Sequence, residues 1–126
     1  MNLLQAGIIG LGVGEQHISA YQAHPSCEVR SICDTDASKL AEVSRRHPGI
    51  TATGTPEEIL QDSGVNVASI ATYDNFHAEQ ILMALKAGKH VFAEKPLCLF
   101  LDEAVEISAA LRRRPDLKLS SNLSLR

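Results

Sequence analysis

The sequence predicts an α/β protein: a doubly wound, six-stranded parallel sheet of order 3-2-1-4-5-6. Three observations predict it. Short apolar runs alternate with amphipathic segments from end to end. A helix-forming segment separates each run from the next, as parallel crossovers require. The first run gives way to a glycine-rich turn, Gly10-Leu11-Gly12-Val13-Gly14. Right-handed crossovers through two βαβαβ halves then set the strand order.

The elements follow in order. Ala6–Gly10 is a buried strand stopped by glycines. Gly14–Ala23 is a helix with apolar Ile18 and Tyr21, ending before Pro25. Glu28–Cys33 is a second strand. Asp36–Arg46 carries Ala37, Leu40, Ala41 and Val43 at helical spacing, and ends in cations that suit a helix C-terminus before Pro48. Ile50–Ala52 is a brief third strand. Thr55-Pro56-Glu57-Glu58 is a helix start in which Thr55 caps and Glu58 reaches back to the cap's N–H. Asn66–Ala71 is a fourth strand, and Phe76–Ala87 a helix stopped by Gly88. His90–Ala93 is a fifth strand, Leu101–Leu111 the last helix, and Leu117–Asn122 the sixth strand. Ser124-Leu125-Arg126 follow it.

Composition narrows the function. The 126 residues have the length of one domain, 1–126, with no internal boundary. Hydrophobic residues make up 44% and charged residues 21%, enough to build a core in water. Twelve Lys and Arg against 15 Asp and Glu leave a net charge of −3, so the cationic surplus of a nucleic-acid binder is missing. Three Phe, two Tyr and no Trp offer few rings for stacking bases. Arg112-Arg113-Arg114 reads as a solvated helix end. Cys27, Cys33 and Cys98 are an odd number without CxxC spacing, so neither a disulfide framework nor a metal site is expected. No basic residue precedes Arg30, and no apolar run spans a bilayer. The expectation is a cytoplasmic protein without export signal or membrane segment.

The glycine turn is the first candidate site. Gly10 permits a tight turn, Gly12 lets a phosphate approach the backbone, and the helix start behind them offers unpaired N–H groups. The dinucleotide fingerprint places its third glycine where Glu15 stands. Gly14 comes one residue early, and the Glu15 carboxylate should point away from a phosphate. Asp34 follows Gly10 by 24 residues, directly after the second strand. It is a candidate acceptor for the adenosine ribose hydroxyls, while Asp36 or Thr35 can cap the next helix. The first cation after Asp34 is Lys39, so NAD is expected over NADP.

Two more clusters fall at the carboxyl ends of the fourth and fifth strands. They are Ala71-Thr72-Tyr73-Asp74-Asn75-Phe76-His77 and Gly88-Lys89-His90-Val91-Phe92-Ala93-Glu94-Lys95-Pro96. Lys95 follows an apolar strand and precedes a proline. There an ammonium group can hydrogen-bond a substrate hydroxyl and ease its deprotonation during hydride loss. A solvated loop lysine is the bland alternative.

On these residues the chain resembles the N-terminal domain of the glucose-fructose oxidoreductase / inositol dehydrogenase / MocA-type oxidoreductases. The resemblance rests on Gly10-Leu11-Gly12 with His17, Asp34, Thr72 with His77, and Ala87-Gly88-Lys89-His90-Val91 running into Glu94-Lys95-Pro96. It implies a dinucleotide-binding fold of the Rossmann type and a nicotinamide-dependent oxidoreductase acting on a sugar, polyol or related small molecule. It implies that Lys95 is the catalytic or substrate-orienting lysine. Glu94 and Thr72 would lie near the nicotinamide ribose, with His77 close by, and Lys95-Pro96 would be a cis peptide. The family's second domain, which supplies further catalytic groups, the substrate pocket and the oligomer interface, is absent from these 126 residues. The chain alone should therefore turn over little.

Two departures stand out. Tyr73-Asp74 replaces the family's usual Pro-Asn, which should leave that loop less constrained. Phe100 stands where a capping Ser or Thr is usual, so the last helix should fray or borrow an acceptor from Asp102. Two other functions share some of these features. An S-adenosylmethionine methyltransferase also uses Gly10, Gly12, Gly14 and Asp34, but Ile8 and Ile9 stand where it usually has an acid, and its last strand would run antiparallel. A non-catalytic nucleotide-binding module is the third.

Overall fold

A computed structural model describes residues 3–122. The expectation for Ser124-Leu125-Arg126 lies outside them. The chain order is β1 (Leu4–Ile9), α1 (Glu15–Gln22), β2 (Cys27–Cys33), α2 (Ala37–Arg46), β3 (Thr51–Thr53), α3 (Pro56–Leu60) and β4 (Val67–Ile70). A single 3-10 turn at Asp74–Phe76 leads into α4 (His77–Lys86), followed by β5 (His90–Glu94), α5 (Leu101–Arg113) and β6 (Leu119–Asn122). The six strands form one sheet of order β3-β2-β1-β4-β5-β6, every pair parallel. The doubly wound expectation holds, and the parallel β6 is the opposite of what a methyltransferase sheet would show.

Alternation along each strand builds two cores. Ile9, Cys33, Ala68, Ile70, Val91 and Ala93 face one side, packed with Ile59, Ile81, Leu85 and Ile107. Ile8 and Ile32 face the other, with Leu11, Ile18 and Val43. Helices α1 and α2 thus cover one face and α3, α4 and α5 the other.

Helix ends show where local chemistry departs from the sequence pattern. Asp36 caps α2, accepting from the amides of Ser38 (2.9 Å) and Lys39 (3.2 Å). Thr55 makes no side-chain cap on α3. Instead the Thr53 hydroxyl accepts the Thr55 amide at 3.1 Å and donates to the Glu58 carboxylate. Glu58 therefore reaches back, but two residues further than expected, to the Thr53 hydroxyl rather than the Thr55 amide. At α5 the rescue comes from Glu103, not Asp102. One Glu103 oxygen accepts both the Leu99 and Phe100 amides, at 2.9 and 3.1 Å. Glu103 is the third helical residue, within reach of the cap's N–H, and this replaces the expected fraying. Gly88 closes α4 as expected: the Gly88 amide donates to the Leu85 carbonyl and the Lys89 amide to the Ala84 carbonyl, both at 3.0 Å.

Away from the glycine turn, at the amino end of β5, Lys89 is buried. Its ammonium donates to the carbonyls of Asp62 (2.6 Å) and Val65 (3.0 Å), pinning the loop before β4. Burial pushes its pKa below the usual lysine range. The neighbouring Arg30 guanidinium holds the Asp62 carboxyl below its ordinary value. Replacing Lys89 with Met would take the ammonium donor from both carbonyls, the Asp62 carbonyl keeping only the Val65 amide. Urea unfolding of Lys89→Met should show a loss of about 1–3 kcal/mol.

Candidate functional site

The register of the sheet brings the candidate loops level. Ile9 pairs with Cys33 on one side and Ile70 on the other, and Ile70 pairs with Ala93. The next residues of these strands are Gly10, Asp34, Ala71 and Glu94. The ladder runs one step further, with the Gly10 amide donating to the Cys33 carbonyl (2.9 Å) and the Ala71 amide to the Ile9 carbonyl (2.8 Å).

Each glycine of the turn answers a different constraint. Gly10 has φ +91°, and a Cβ there would sit 2.5 Å from the Ala71 carbonyl oxygen. A Cβ on Gly14 would fall 1.8 Å from the Gly10 carbonyl oxygen, so the start of α1 packs directly on the turn. Gly14 therefore fills the third-glycine role one residue early. A Cβ on Gly12 would meet nothing within 4 Å, so that space is open to a ligand. Leu11 is buried in the core, while Val13 is 53% exposed. Among the described residues no acceptor takes the amides of Gly12, Val13 and Gly14. These amides, at the positive end of α1, are free to donate to an anion.

Glu15 turns away from those amides, as its charge requires. It accepts two 2.7 Å hydrogen bonds from Arg46 and lies 3.4 Å from the His47 ring. The Arg46 guanidinium holds its carboxyl below the usual range.

Asp34 does more than the sequence suggested. One carboxylate oxygen accepts the Leu11 amide at 2.9 Å, the other the Asp36 amide at 2.8 Å. It therefore anchors the glycine turn and the entry to α2 together. The spacing of Asp34 from Gly10 shows none of this, because a carboxylate's inward partner is set by the fold. Next to it, burial and the Asp34 charge push the Cys33 thiol up to about 12, leaving it unreactive.

The ends of β4 and β5 are fastened by one ring. His77 is buried, with Nδ1 2.6 Å from the Pro96 carbonyl oxygen and Nε2 2.8 Å from the Thr72 carbonyl oxygen. Both partners are acceptors, so a neutral ring donates to one carbonyl and only an imidazolium donates to both; in either form His77 sits between the two loops that flank the cleft, with both nitrogens facing protein. The Thr72 hydroxyl donates to Gln80 Oε1 at 2.7 Å. Tyr73 adopts φ −65°, ψ 149°, the backbone of a proline, and its carbonyl accepts the Phe76 amide at 2.9 Å. The loop is thus held despite the missing proline. Lys95-Pro96 is cis, and the exposed Lys95 side chain has no hydrogen-bond or ion-pair partner among the described residues.

Below the cleft runs a polar line that the sequence did not reveal as such. His17 on α1 is buried, with Nδ1 2.7 Å from Ser69 Oγ and Nε2 2.7 Å from Glu94 Oε2. Its ring meets Phe92 edge-on at 5.2 Å. Tyr21 donates to Ser69 Oγ (3.3 Å), and Asn122 Nδ2 donates to both Glu94 oxygens at 3.2 and 3.3 Å. A proton on His17 Nε2 satisfies every member: Tyr21 to Ser69, Ser69 to Nδ1, Nε2 to Glu94. The Ser–His–Glu order resembles a nucleophilic triad, but Ser69 is fully buried, so no substrate meets it. Glu94 is accordingly tied to protein groups on its His17 side.

No group of three or more His, Cys, Asp or Glu is placed to hold a metal among the described residues, and no helix there is long and apolar enough to cross a membrane. A groove of about 560 Å³ between α4 and α5, lined by Leu82, Glu106 and Arg113 among others, is remote from this chemistry.

Comparison with known proteins identifies the family of this fold. Residues 4–122 match the oxidoreductase family with an NAD-binding Rossmann fold. Levoglucosan dehydrogenase of Pseudarthrobacter phenanthrenivorans is 33% identical over 121 residues, covering 89% of this chain and 31% of its own length. Myo-inositol 2-dehydrogenase of Thermotoga maritima is 31% identical over 99 residues, covering 78% and 30%. The crystal structure of GenD2 from gentamicin A biosynthesis, in complex with NAD, superposes with a TM-score of 0.88 at 28% identity, covering 97% of this chain and 35% of that one. The chain spans about a third of the length of the curated relatives it matches. The methyltransferase alternative finds no support in these matches or in the parallel β6.

Two outcomes test this geometry. Gly12→Ala should leave thermal stability within about 0.5 kcal/mol while weakening dinucleotide binding, whereas Gly14→Ala, whose Cβ has no room, should lower the melting temperature by several degrees. Nitrogen-15 NMR of the histidine rings should show the His17 proton on Nε2; a proton on Nδ1 alone would reverse the direction drawn for the network.

Proposed function

The chain belongs to the oxidoreductase family with the NAD-binding Rossmann fold, and from that premise we propose that it is the cofactor-holding domain of a sugar or polyol dehydrogenase. On this reading residues 1–126 are the dinucleotide domain. The parent enzyme's substrate pocket, remaining catalytic groups and oligomer interface lie in a second domain, and this chain alone turns over little. The observation that carries the proposal is the level row of loops: an open amide cradle at Gly12–Gly14, a carboxylate at Asp34 and an unpaired Lys95 amine share one edge of the sheet. Two of the matched relatives are, by name, a levoglucosan and an inositol dehydrogenase, which supports a hydroxyl or carbonyl of a polyol or sugar as the reacting group.

Bound NAD supplies the hydride acceptor or donor. The residues of this chain do the rest. The amides of Gly12, Val13 and Gly14 hold the pyrophosphate at the start of α1. Asp34 has lone pairs beyond its two backbone bonds and accepts from the adenosine ribose hydroxyls. It repels a 2′-phosphate, as does Asp36. Arg46, the basic side chain beside the turn, is occupied by Glu15 and Glu42, so NAD is preferred to NADP. Thr72 and Glu94 shape the nicotinamide side through the loops they anchor. The Lys95 ammonium would hydrogen-bond the reacting oxygen and stabilise the negative charge that grows there as its proton passes to water and the hydride leaves.

Thermal-shift titration tests the reading. NAD should raise the melting temperature, by the equivalent of about 2.7 kcal/mol at a hundredfold excess over Kd. NADP should do less, and S-adenosylmethionine nothing. A larger shift with NADP would overturn the cofactor preference, and no shift with either dinucleotide would overturn the proposal.

A further inference from the structure

Among the described residues Tyr73 is the most exposed aromatic side chain, at 80%, and its backbone at the end of β4 is held. Its neighbours account for the backbone. The Tyr73 carbonyl takes the Phe76 amide, and the His77 ring lies between the Thr72 and Pro96 carbonyl oxygens, donating to at least one of them. Tyr73 and Lys95 are thus each one residue from the two carbonyls that one imidazole bridges. The strand order separates the two ends of a dinucleotide laid across the switch point. Asp34 lies on the β2 side of the glycine turn, and Tyr73 and Lys95 lie on the β4 and β5 side. The ring therefore borders the half of the site away from the adenosine. The Tyr73 hydroxyl has no partner among the described residues, so nothing ties the ring elsewhere.

We infer that Tyr73 is a specificity-determining residue whose ring meets the nicotinamide and favours its oxidised form. The inference rests on the dinucleotide reading above and adds a redox preference to it. Oxidised nicotinamide carries a positive charge and reduced nicotinamide carries none. An aromatic face attracts the cation through its quadrupole and gives the neutral ring only dispersion and stacking. An exposed pair of this kind changes affinity roughly two- to fivefold.

The backbone of Tyr73 already has the φ of a proline, and its amide has no acceptor among the described residues, so Tyr73→Pro removes the ring with little strain. Calorimetric titration of the native chain, Tyr73→Phe and Tyr73→Pro should use three probes: NAD⁺, NADH and ADP-ribose, which lacks the nicotinamide. Tyr73→Phe should bind like the native chain. Tyr73→Pro should lose roughly two- to fivefold in NAD⁺ affinity, less for NADH, and nothing for ADP-ribose. Equal losses for all three, or no loss for NAD⁺, would overturn the inference while leaving the dinucleotide site standing. A native chain that binds none of the three would overturn both.

Discussion

The site depends on one row of buried residues, Cys33, Ile9, Ile70 and Ala93, paired side by side across four strands. All four face the same core. Because side chains alternate along a strand, a slip of one residue in any pairing would turn that strand's apolar set to the opposite face. The core thus locks the register, and the register decides which residues emerge together at the sheet's edge. The glycine turn, Asp34, the Thr72 loop and the Lys95 turn are neighbours because four apolar residues cannot exchange faces. The two glycines that admit no Cβ then press the turn onto the end of β4 and the start of α1.

Polar braces convert that alignment into a rigid edge. Asp34 fastens the glycine turn to the second strand's end, His77 fastens the β4 loop to the cis-proline turn, and His17 fastens α1 to β4 and β5. All three join separate segments, and none uses the Gly12, Val13 and Gly14 amides. The side chains with partners hold loops, whereas Lys95 and Tyr73 are exposed and have no side-chain partner among the described residues.

The sheet was legible in the sequence because alternating apolar runs and helix-length gaps admit few other topologies. The glycine turn and the acid after β2 were legible because their spacing follows from the turn itself. The cis Lys95-Pro96 bond matched what the family resemblance implied. What stayed hidden was pairing across the fold. The resemblance put His77 near the nicotinamide, but not the Pro96 carbonyl that the turn after β5 brings against it, and it gave no partner for His17, to which Glu94 arrives from 77 positions away. Helix ends were misread for a related reason. Thr53 and Glu103 took the capping work expected of Thr55 and Asp102, because capping depends on where a side chain reaches, not only on its place in the chain. The Tyr73 loop was expected to be loose, yet hydrogen bonds from Phe76 and His77 supply the restraint a proline would have given.

The proposed dinucleotide site is the one edge of the sheet where the glycine turn, Asp34 and Lys95 emerge together. The most direct measurement is a proton–nitrogen correlation spectrum of the chain recorded while NAD is added. The account predicts amide shifts at Gly12, Val13 and Gly14, at Leu11 and Asp36 through Asp34, and at Tyr73 and Lys95, with the α4–α5 groove and the Lys89 end of the sheet unmoved. Shifts centred on that groove, or a spectrum unchanged at millimolar NAD, would contradict it.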